Sequence, residues 1–443
     1  MSAELRSLLR LAIPVVLAEL GWFSMNIVDI IMVGGLGPAA IGATGIGNSA
    51  FYSFAVFGMG ILLGLDTLVS QSFGAGDRED CHRSLAQGVY LSLIMTVPLM
   101  ILFAFMPPLF GKLGINNEVS ALASTFLTTL NWSTLPLLLY ATFRRYLQGI
   151  GHVRPVMFVL VSSNLVNWLG NWLLIEGHWG FPGLGVAGSA LSTCIARVYM
   201  AAVLAAFIWW FERKTQFGVA SLFRKPDTKR LGALLRLGCP AATQIMLEVG
   251  AFGIAAVLAG RLTPAALAAH EISINCAAFT YMVPLGMASA AAVAVGQSIG
   301  RREFPRARRE GYMAIALGCA FMCCSGLCFW LIPLPILHIY TFDAGVLEIG
   351  TNLLAIAAIF QLFDGIQTVT TGALRGFGNT RTPMLINLAG YYCLGLPVGY
   401  FLCFNSRYGI YGLWVGLSAA LIIIAIYLFY SWSRESRKLA FNS

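Results

Sequence analysis

Four carboxylates sit deep inside apolar runs of this sequence: Glu19, Asp29, Glu248 and Asp364. An ionised acid at a bilayer centre costs about 2.5–3.5 kcal/mol on insertion scales, so such residues normally face a bundle interior or cavity and mark ion or proton routes. No Lys or Arg is expected at matching depth in the same runs, which argues against a structural salt bridge for any of the four. An acid in a cavity can hold a proton, a sodium ion or an organic cation, one at a time. Competition between two such ligands produces exchange. Asp66 and Glu271 fall nearer the ends of their runs and are expected at the interface. Asn164, Asn167 and Asn171 in "SSNLVNWLGNWLL" add amide groups, and the i, i+4 spacing of Asn167 and Asn171 places them on one helical face. With Asp29 they would make one oxygen-rich site, able to take Na⁺. Glu248 and Asp364 lie farther along the chain, each in an apolar run of its own.

The elements that must hold these groups are membrane helices. The 443 residues are 58 % apolar and only 11 % charged, where ordinary globular chains carry about 25 % charge. The apolar stretches exceed the ~20 residues a spanning helix needs, and the short alternating strands of a β-barrel are absent. Twelve spans are expected, at 8–33, 43–73, 84–110, 119–147, 153–175, 184–211, 232–260, 266–299, 309–340, 347–373, 382–403 and 409–432. The N-terminal run continues to Val33 without a small-residue cleavage pattern and is taken as the first span, not a signal peptide.

The formal charge of +9 is concentrated in alternate loops. Arg78, Arg83, Arg144, Arg145, Arg154, Arg213, Lys214, Arg224, Lys225, Lys229, Arg230, Arg301, Arg302, Arg306, Arg308, Arg309, Arg375 and Arg381 fall on one side, against Lys112, Arg261 and Arg407 on the other. That asymmetry places both termini in the cytoplasm of a multi-pass protein of the cytoplasmic membrane and leaves no case for nucleic acid. The ten cysteines show no metal spacing and are expected as small packing residues.

The chain is written twice. Sliding it by 226 residues aligns "LLRLAIP" (8–14) with "LLRLGCP" (234–240), "GGLGPAA" with "GRLTPAA", "VSQSFG" with "VGQSIG", and Arg83 with Arg309. Two parallel six-helix halves are expected, 1–211 and 232–443, joined by a cytoplasmic linker at 212–231, with the transport site between them. Pro14 and Pro240 match between the halves and are candidate hinges, since each removes a helix hydrogen bond. Gly74 and Gly300 are expected to cap the second and eighth spans. The acids do not repeat: Asp29 falls on Ala255 and Glu248 on Trp22. Each half therefore carries its own ionisable site.

"VDIIMVGGLGPAA", "DTLVSQSFGAGD", "PAATQIMLEVG", "FQLFDGIQTV" and "LRGFGNTRTPM", in order across both halves, resemble the multidrug and toxic compound extrusion (MATE) transporters, in particular the NorM-like and eukaryotic branch. The resemblance implies two six-helix lobes around a central cavity and export of organic cations in exchange for H⁺ or Na⁺, with no cofactor. It assigns Asp29 to the first-helix acid of the N-lobe site, Asn167 and Asn171 to its fifth-helix asparagines, and Glu248 and Asp364 to the seventh- and tenth-helix acids of the C-lobe. Glu19 matches no family position. A monomer in contact with membrane lipids is expected.

Other functions fare worse against the residues. A lipid-linked oligosaccharide flippase would line its cavity with basic groups for pyrophosphate, and the buried charges here are acidic. A membrane-embedded enzyme lacks its motifs, since no G-x-x-x-x-G-K-[ST], H-E-x-x-H or G-x-S-x-G occurs. The missing phosphate loop also excludes a self-contained ATP-driven pump, and an ion channel has no need of a duplication with unequal acids.

Overall fold

The computed structural model describes residues 3–112, 114–213 and 226–441. The middle of the expected linker, with Lys214, Arg224 and Lys225, lies outside the described residues. The architecture is all-α, with twelve membrane spans arranged as two six-helix repeats. In chain order the spans are α1 (Ala3–Gly34), α2 (Pro38–Gly74), α3 (Arg78–Lys112), α4 (Asn117–Asn131 and Thr134–Gly149), α5 (Val153–Ile175) and α6 (Val186–Glu212). The second repeat supplies α7 (Thr228–Ala259), α8 (Pro264–Gly300), α9 (Phe304–Leu331), α10 (Ala344–Phe377), α11 (Arg381–Asn405) and α12 (Ile410–Phe441). Eleven of them are long and apolar enough to cross a membrane as single segments. The exception is α4, which carries Asn131, Ser133 and Thr134 at its middle and breaks there into two shorter helices.

Local chemistry sets the ends. Pro38 and Pro264 occupy first-turn positions, where a missing N–H costs nothing. The side chains of Asp77, Asn116, Thr263 and Asp343 accept from free N–H groups at the starts of α3, α4, α8 and α10. At the other end of α2 and α8, Gly74 and Gly300 remain helical. The left-handed residues come two positions later, at Gly76 (φ 79°) and Arg302 (φ 62°). Asp77 N–H donates to Ser72 C=O and Glu303 N–H to Ser298 C=O, each at 2.9 Å, closing the same six-residue turn in both repeats. The caps thus lie at Gly76 and Arg302, a correction to the glycines chosen from sequence.

By contacts the chain forms two compact units, Leu17–Ala242 and Met1–Val16 with Thr243–Ser443. The boundaries fall inside α1 and α7, two residues after Pro14 and two after Pro240, at positions related by the 226-residue repeat. The opening turns of each of these helices therefore belong with the other repeat. Glycines make this possible: a Cβ on Gly60 would lie 2.6 Å from Ala242 Cα, and one on Gly286 would lie 2.7 Å from Val16 Cα. These two pairs are again repeat mates.

Polar contacts clasp the same helix starts. Arg230, in the first turn of α7, binds Asp80 and also donates to Ser84 Oγ (3.0 Å) and Ser72 Oγ (3.1 Å). Its mate at the start of α1, Glu4, pairs with Arg309 at 2.9 Å. The repeat mates at the two helix starts carry opposite charges, Glu4 against Arg230, while Arg309, the partner of Glu4, has Arg83 as its mate.

Inside each unit an apolar core fixes the helices. Phe51, Phe103, Phe126, Leu65 and Tyr146 lie in the first, and Leu353, Phe360, Tyr391, Trp414 and Trp432 in the second. One close helix pair in each unit holds the helices that carry the polar groups. In the first unit α5 and α6 touch at Gly170, where a Cβ would fall 2.5 Å from Ser192 Oγ, and at Gly188, against the Leu174 carbonyl. In the second, Gly372 and Gly376 of α10 lie against the backbone of Ala288 and Ala292 on α8, a small-xxx-small contact of the kind that brings membrane helices together.

Candidate functional sites in the two units

Asp29 lies in the last third of α1, 2 % exposed, with its carboxylate turned onto α5 and α6. Asn171 Nδ2 donates to Asp29 Oδ1 at 2.7 Å, and Thr193 Oγ1 donates to Oδ2 at 3.1 Å. Asn167 Nδ2 reaches Thr193 Oγ1 at 3.4 Å, and Asn171 Nδ2 also approaches Asn167 Oδ1 at 3.4 Å. Both asparagines are fully buried. The close α5–α6 contact holds them, since Ser192 Oγ donates to the Asn167 carbonyl at 2.7 Å. Asn164, one turn earlier on α5, donates to the Gly21 carbonyl at 3.0 Å and ties α5 to α1. The three residues that sequence brought together, Asp29, Asn167 and Asn171, do form one cluster.

That cluster has donors to spare and one acceptor unused. Asn171 Oδ1 is buried with no hydrogen-bond partner, and a buried carbonyl oxygen left unpaired is costly unless something occupies it. Beside two carboxylate oxygens and a hydroxyl, it completes an oxygen set suited to a small hard cation.

Sequence reasoning missed two members of this neighbourhood. Thr193 looked like one more hydroxyl in an apolar helix, and only the pattern Ser189, Thr193, Arg197, all one turn apart on α6, marks a polar stripe. Arg197 is the second. It is 1 % exposed in the middle of α6, where no buried cation was expected.

In the second unit, Asp364 sits on α10, eight residues before the Gly372 contact, and is 9 % exposed. Gln361 and Thr368 flank it at one-turn intervals on the same face. Gln361 Nε2 donates to Thr280 Oγ1 on α8 at 2.7 Å, while its Oε1 is buried without a partner. Gln367 Oε1 is likewise unpartnered, though its Nε2 approaches Asn387 Oδ1 (3.4 Å) and Tyr391 Oη (3.3 Å) on α11. Asp364 and Glu248 of α7 lie close enough to feel each other's charge. Tyr281 of α8 lies beside both acids. Among the described residues no donor binds Asp364. The two sites therefore differ: Asp29 is held by hydrogen bonds from Asn171 and Thr193, whereas Glu248 and Asp364 lie near each other without a basic partner among the described residues.

Glu19 belongs to neither. It pairs with Arg144 of α4, both side chains 8 % exposed. The expectation that no salt bridge explains a buried acid fails here because Arg144, counted among the loop charges although the span expected at 119–147 contains it, is buried on α4. Asp66, expected at an interface, is fully buried and meets Arg145 at 3.4 Å. Pro14 and Pro240 both lie inside unbroken helices, α1 and α7. Among the described residues no three His, Cys, Asp or Glu side chains gather as a metal site.

Residues 14–173 and 240–401 each match the MatE family, the two matches beginning at Pro14 and Pro240. The probable multidrug resistance protein NorM of Mesorhizobium japonicum is 32 % identical over 444 residues, covering 98 % of this chain and 94 % of the relative. The probable multidrug resistance protein NorM of Rhodopseudomonas palustris is 34 % identical over 441 residues, covering 98 % and 92 %. Among solved structures, a MATE protein in a bent conformation superposes with a TM-score of 0.90 at 19 % identity, covering 100 % of this chain and 99 % of that one. A eukaryotic MATE transporter superposes at 0.87 with 21 % identity, covering 98 % of both chains. Two repeats, each matching the family in register, and relatives alike over nearly their whole length lead to one conclusion: the chain is a multi-pass membrane protein belonging to the MatE family of multidrug and toxic compound extrusion transporters, which are not enzymes.

Proposed function

We infer that this protein is a secondary antiporter that exports organic cations across the cytoplasmic membrane in exchange for H⁺ or Na⁺, both termini lying in the cytoplasm. The observation that carries the reading is the pair of unlike acid sites, one in each unit. Asp29 sits with Asn167, Asn171 and Thr193, whose oxygens include the unpartnered Asn171 Oδ1. Glu248 and Asp364 sit together without a basic partner, beside the hydroxyl of Tyr281. A carboxyl pair lacking a fixed counter-charge takes up a cation from outside, either the exported compound or the coupling ion, and the two exclude each other. The names of the curated relatives, multidrug resistance proteins, agree with a small-molecule cargo.

Alternating access is supported by the helices that change unit. α1 and α7 each pass between units just beyond Pro14 and Pro240, and each proline removes a helix hydrogen bond where bending would occur. We read these as the hinges, with 1–211 and 232–443 as the lobes by sequence and 212–231 as their linker.

The test is efflux of ethidium from proteoliposomes under a pH gradient or a Na⁺ gradient imposed separately, for wild type and Asp364→Asn. One gradient should drive wild-type efflux, identifying the coupling ion, and the variant should insert and melt normally yet fail to couple. Normal coupled efflux by Asp364→Asn would overturn the assignment of the second site. No response of the wild type to either gradient would overturn the antiporter reading.

A further inference from the structure

Arg197 is a permanent cation enclosed in the first unit without a carboxylate in contact. Its Nη1 donates to Ser133 Oγ at 2.6 Å and its Nη2 to Tyr52 Oη at 3.0 Å. The guanidinium lies 4.7 Å from the Phe51 ring centre and 5.6 Å from that of Tyr52. Hydroxyls and ring faces direct the charge but do not neutralise it. A buried charge without a counter-charge costs several kcal/mol. One acid balances it: Asp29, which interacts with Arg197 electrostatically and is bound by Thr193, one turn before Arg197 on the same face of α6. Asp29 and Arg197 are thus opposite buried charges without direct contact, linked through α6 by the Thr193 hydroxyl that binds Asp29. Direct contact would have filled Asp29 with the guanidinium's own donors. Held off by Ser133 and Tyr52, Arg197 balances the acid while leaving its oxygens to Asn171, Thr193 and a visiting ion.

We propose that Arg197 is the positioning residue that sets how firmly the Asp29 cluster holds the coupling ion. With the site empty the two charges cancel. When H⁺ or Na⁺ arrives, Asp29 is neutralised and Arg197 is left as a buried charge without its balance. Occupancy therefore always costs the Arg197–Asp29 attraction, and the ion leaves readily when the transport cycle requires it. The charged and titratable groups around the pair are few: Asp29 from α1, Arg197 and the Cys194 thiol from α6, and the Tyr52 hydroxyl from α2. The facing groups of α4 and α5, Ser133, Asn167 and Asn171, do not titrate. The inference rests on the reading of Asp29 as the ion's site.

Wild type, Arg197→Gln, Arg197→Lys and Asp29→Asn are compared in two ways. In proteoliposomes, the driving-ion concentration giving half-maximal ethidium efflux is measured. Arg197→Gln should lower it at least about tenfold, the order expected for removing a unit charge nearby in a partly dry interior, and should lower the maximal rate as release slows. Arg197→Lys keeps the charge and should stay within about threefold of wild type. In detergent, melting temperatures of Asp29→Asn, Arg197→Gln and the double variant form a cycle. Asp29→Asn should destabilise by stranding the arginine, and adding Arg197→Gln should recover part of that loss.

Additive melting shifts, an unchanged half-saturating concentration in Arg197→Gln, or an equal shift in Arg197→Lys would each overturn the proposal in favour of a purely structural arginine. The melting cycle needs no transport. If Asp29→Asn still couples efflux to the ion, Asp29 is not the ion's site and this proposal fails, while the antiporter reading, which fails only if the wild type answers neither gradient, stands.

Discussion

Removing the carboxylate of Glu19 should unfold this protein sooner without touching its coupling chemistry. Glu19 and Arg144 join α1 to α4 with both side chains 8 % exposed, so neither charge can return to water when the other is removed. Breaking a buried pair by removing one partner costs about 3–5 kcal/mol. At about 2–4 °C per kcal/mol for a cooperative unit of 150–250 residues, a range that includes Leu17–Ala242, Glu19→Gln should lower the melting temperature by about 6–20 °C. The partners are unequal in a way that sharpens the test. Arg144 cannot shed its proton, whereas a carboxyl left alone escapes its charge by taking one up, so Arg144→Met should cost less than Glu19→Gln. Replacing both with methionine restores a neutral interior of similar volume and should melt within a few degrees of wild type, at about 1 kcal/mol or less. The assay is thermal unfolding of purified protein in one detergent, followed by intrinsic fluorescence, with ethidium efflux measured below the lowest melting point. A Glu19→Gln protein that melts with wild type but loses ion-driven efflux would refute the assignment of Glu19 to structure.

Three further outcomes rest on particular contacts. Arg302 holds a left-handed conformation that its repeat mate, Gly76, adopts without strain, so Arg302→Gly should raise the melting temperature, by about 0.5–1 kcal/mol of stability; a decrease would show that the side chain outweighs the strain. A Cβ on Gly372 would run into the Ala288 carbonyl oxygen, so Gly372→Ala should cost about 1–3 kcal/mol by prising α10 from α8, and a neutral result would mean the helices separate freely. Arg230→Glu should weaken the clasp on α3 and slow efflux, and pairing it with Asp80→Arg should restore most of the loss; two independent, additive defects would show that the contact carries no specificity.

Much of the first site was legible because its members are rare where they stand. An acid in an apolar run and two asparagines one turn apart announce themselves, and the structure puts Asp29 2.7 Å from Asn171. The second pair was legible for the same reason. Thr193 was not, since a hydroxyl in a membrane helix more often satisfies its own backbone, and Thr193 does also reach the Ser189 carbonyl at 3.2 Å. Glu19 was misread because its partner stands 125 residues away and was counted as a loop charge although it falls inside the expected fourth span. Arg197 escaped because basic residues were weighed only as loop charges. The exchange of helix starts between units had no sequence signal of its own: it depends on where Gly60 and Gly286 let a neighbour approach, which is a matter of packing and not of periodicity.

The same duplication explains why the exchange does not collapse into two self-contained halves. If the start of α7 took the position of Glu4, Arg230 would meet Arg309, the partner of Glu4. That return sets like charges together, whereas the observed partition pairs Arg230 with Asp80 and Glu4 with Arg309. Exposed pairs of this kind contribute little to stability, about 0–1 kcal/mol each. Their effect lies in the difference between right and wrong partners, which is what specificity requires. Divergence after duplication has thus acted twice on one scaffold, giving the repeats unlike acids for chemistry in their interiors and opposite charges at their helix starts for assembly.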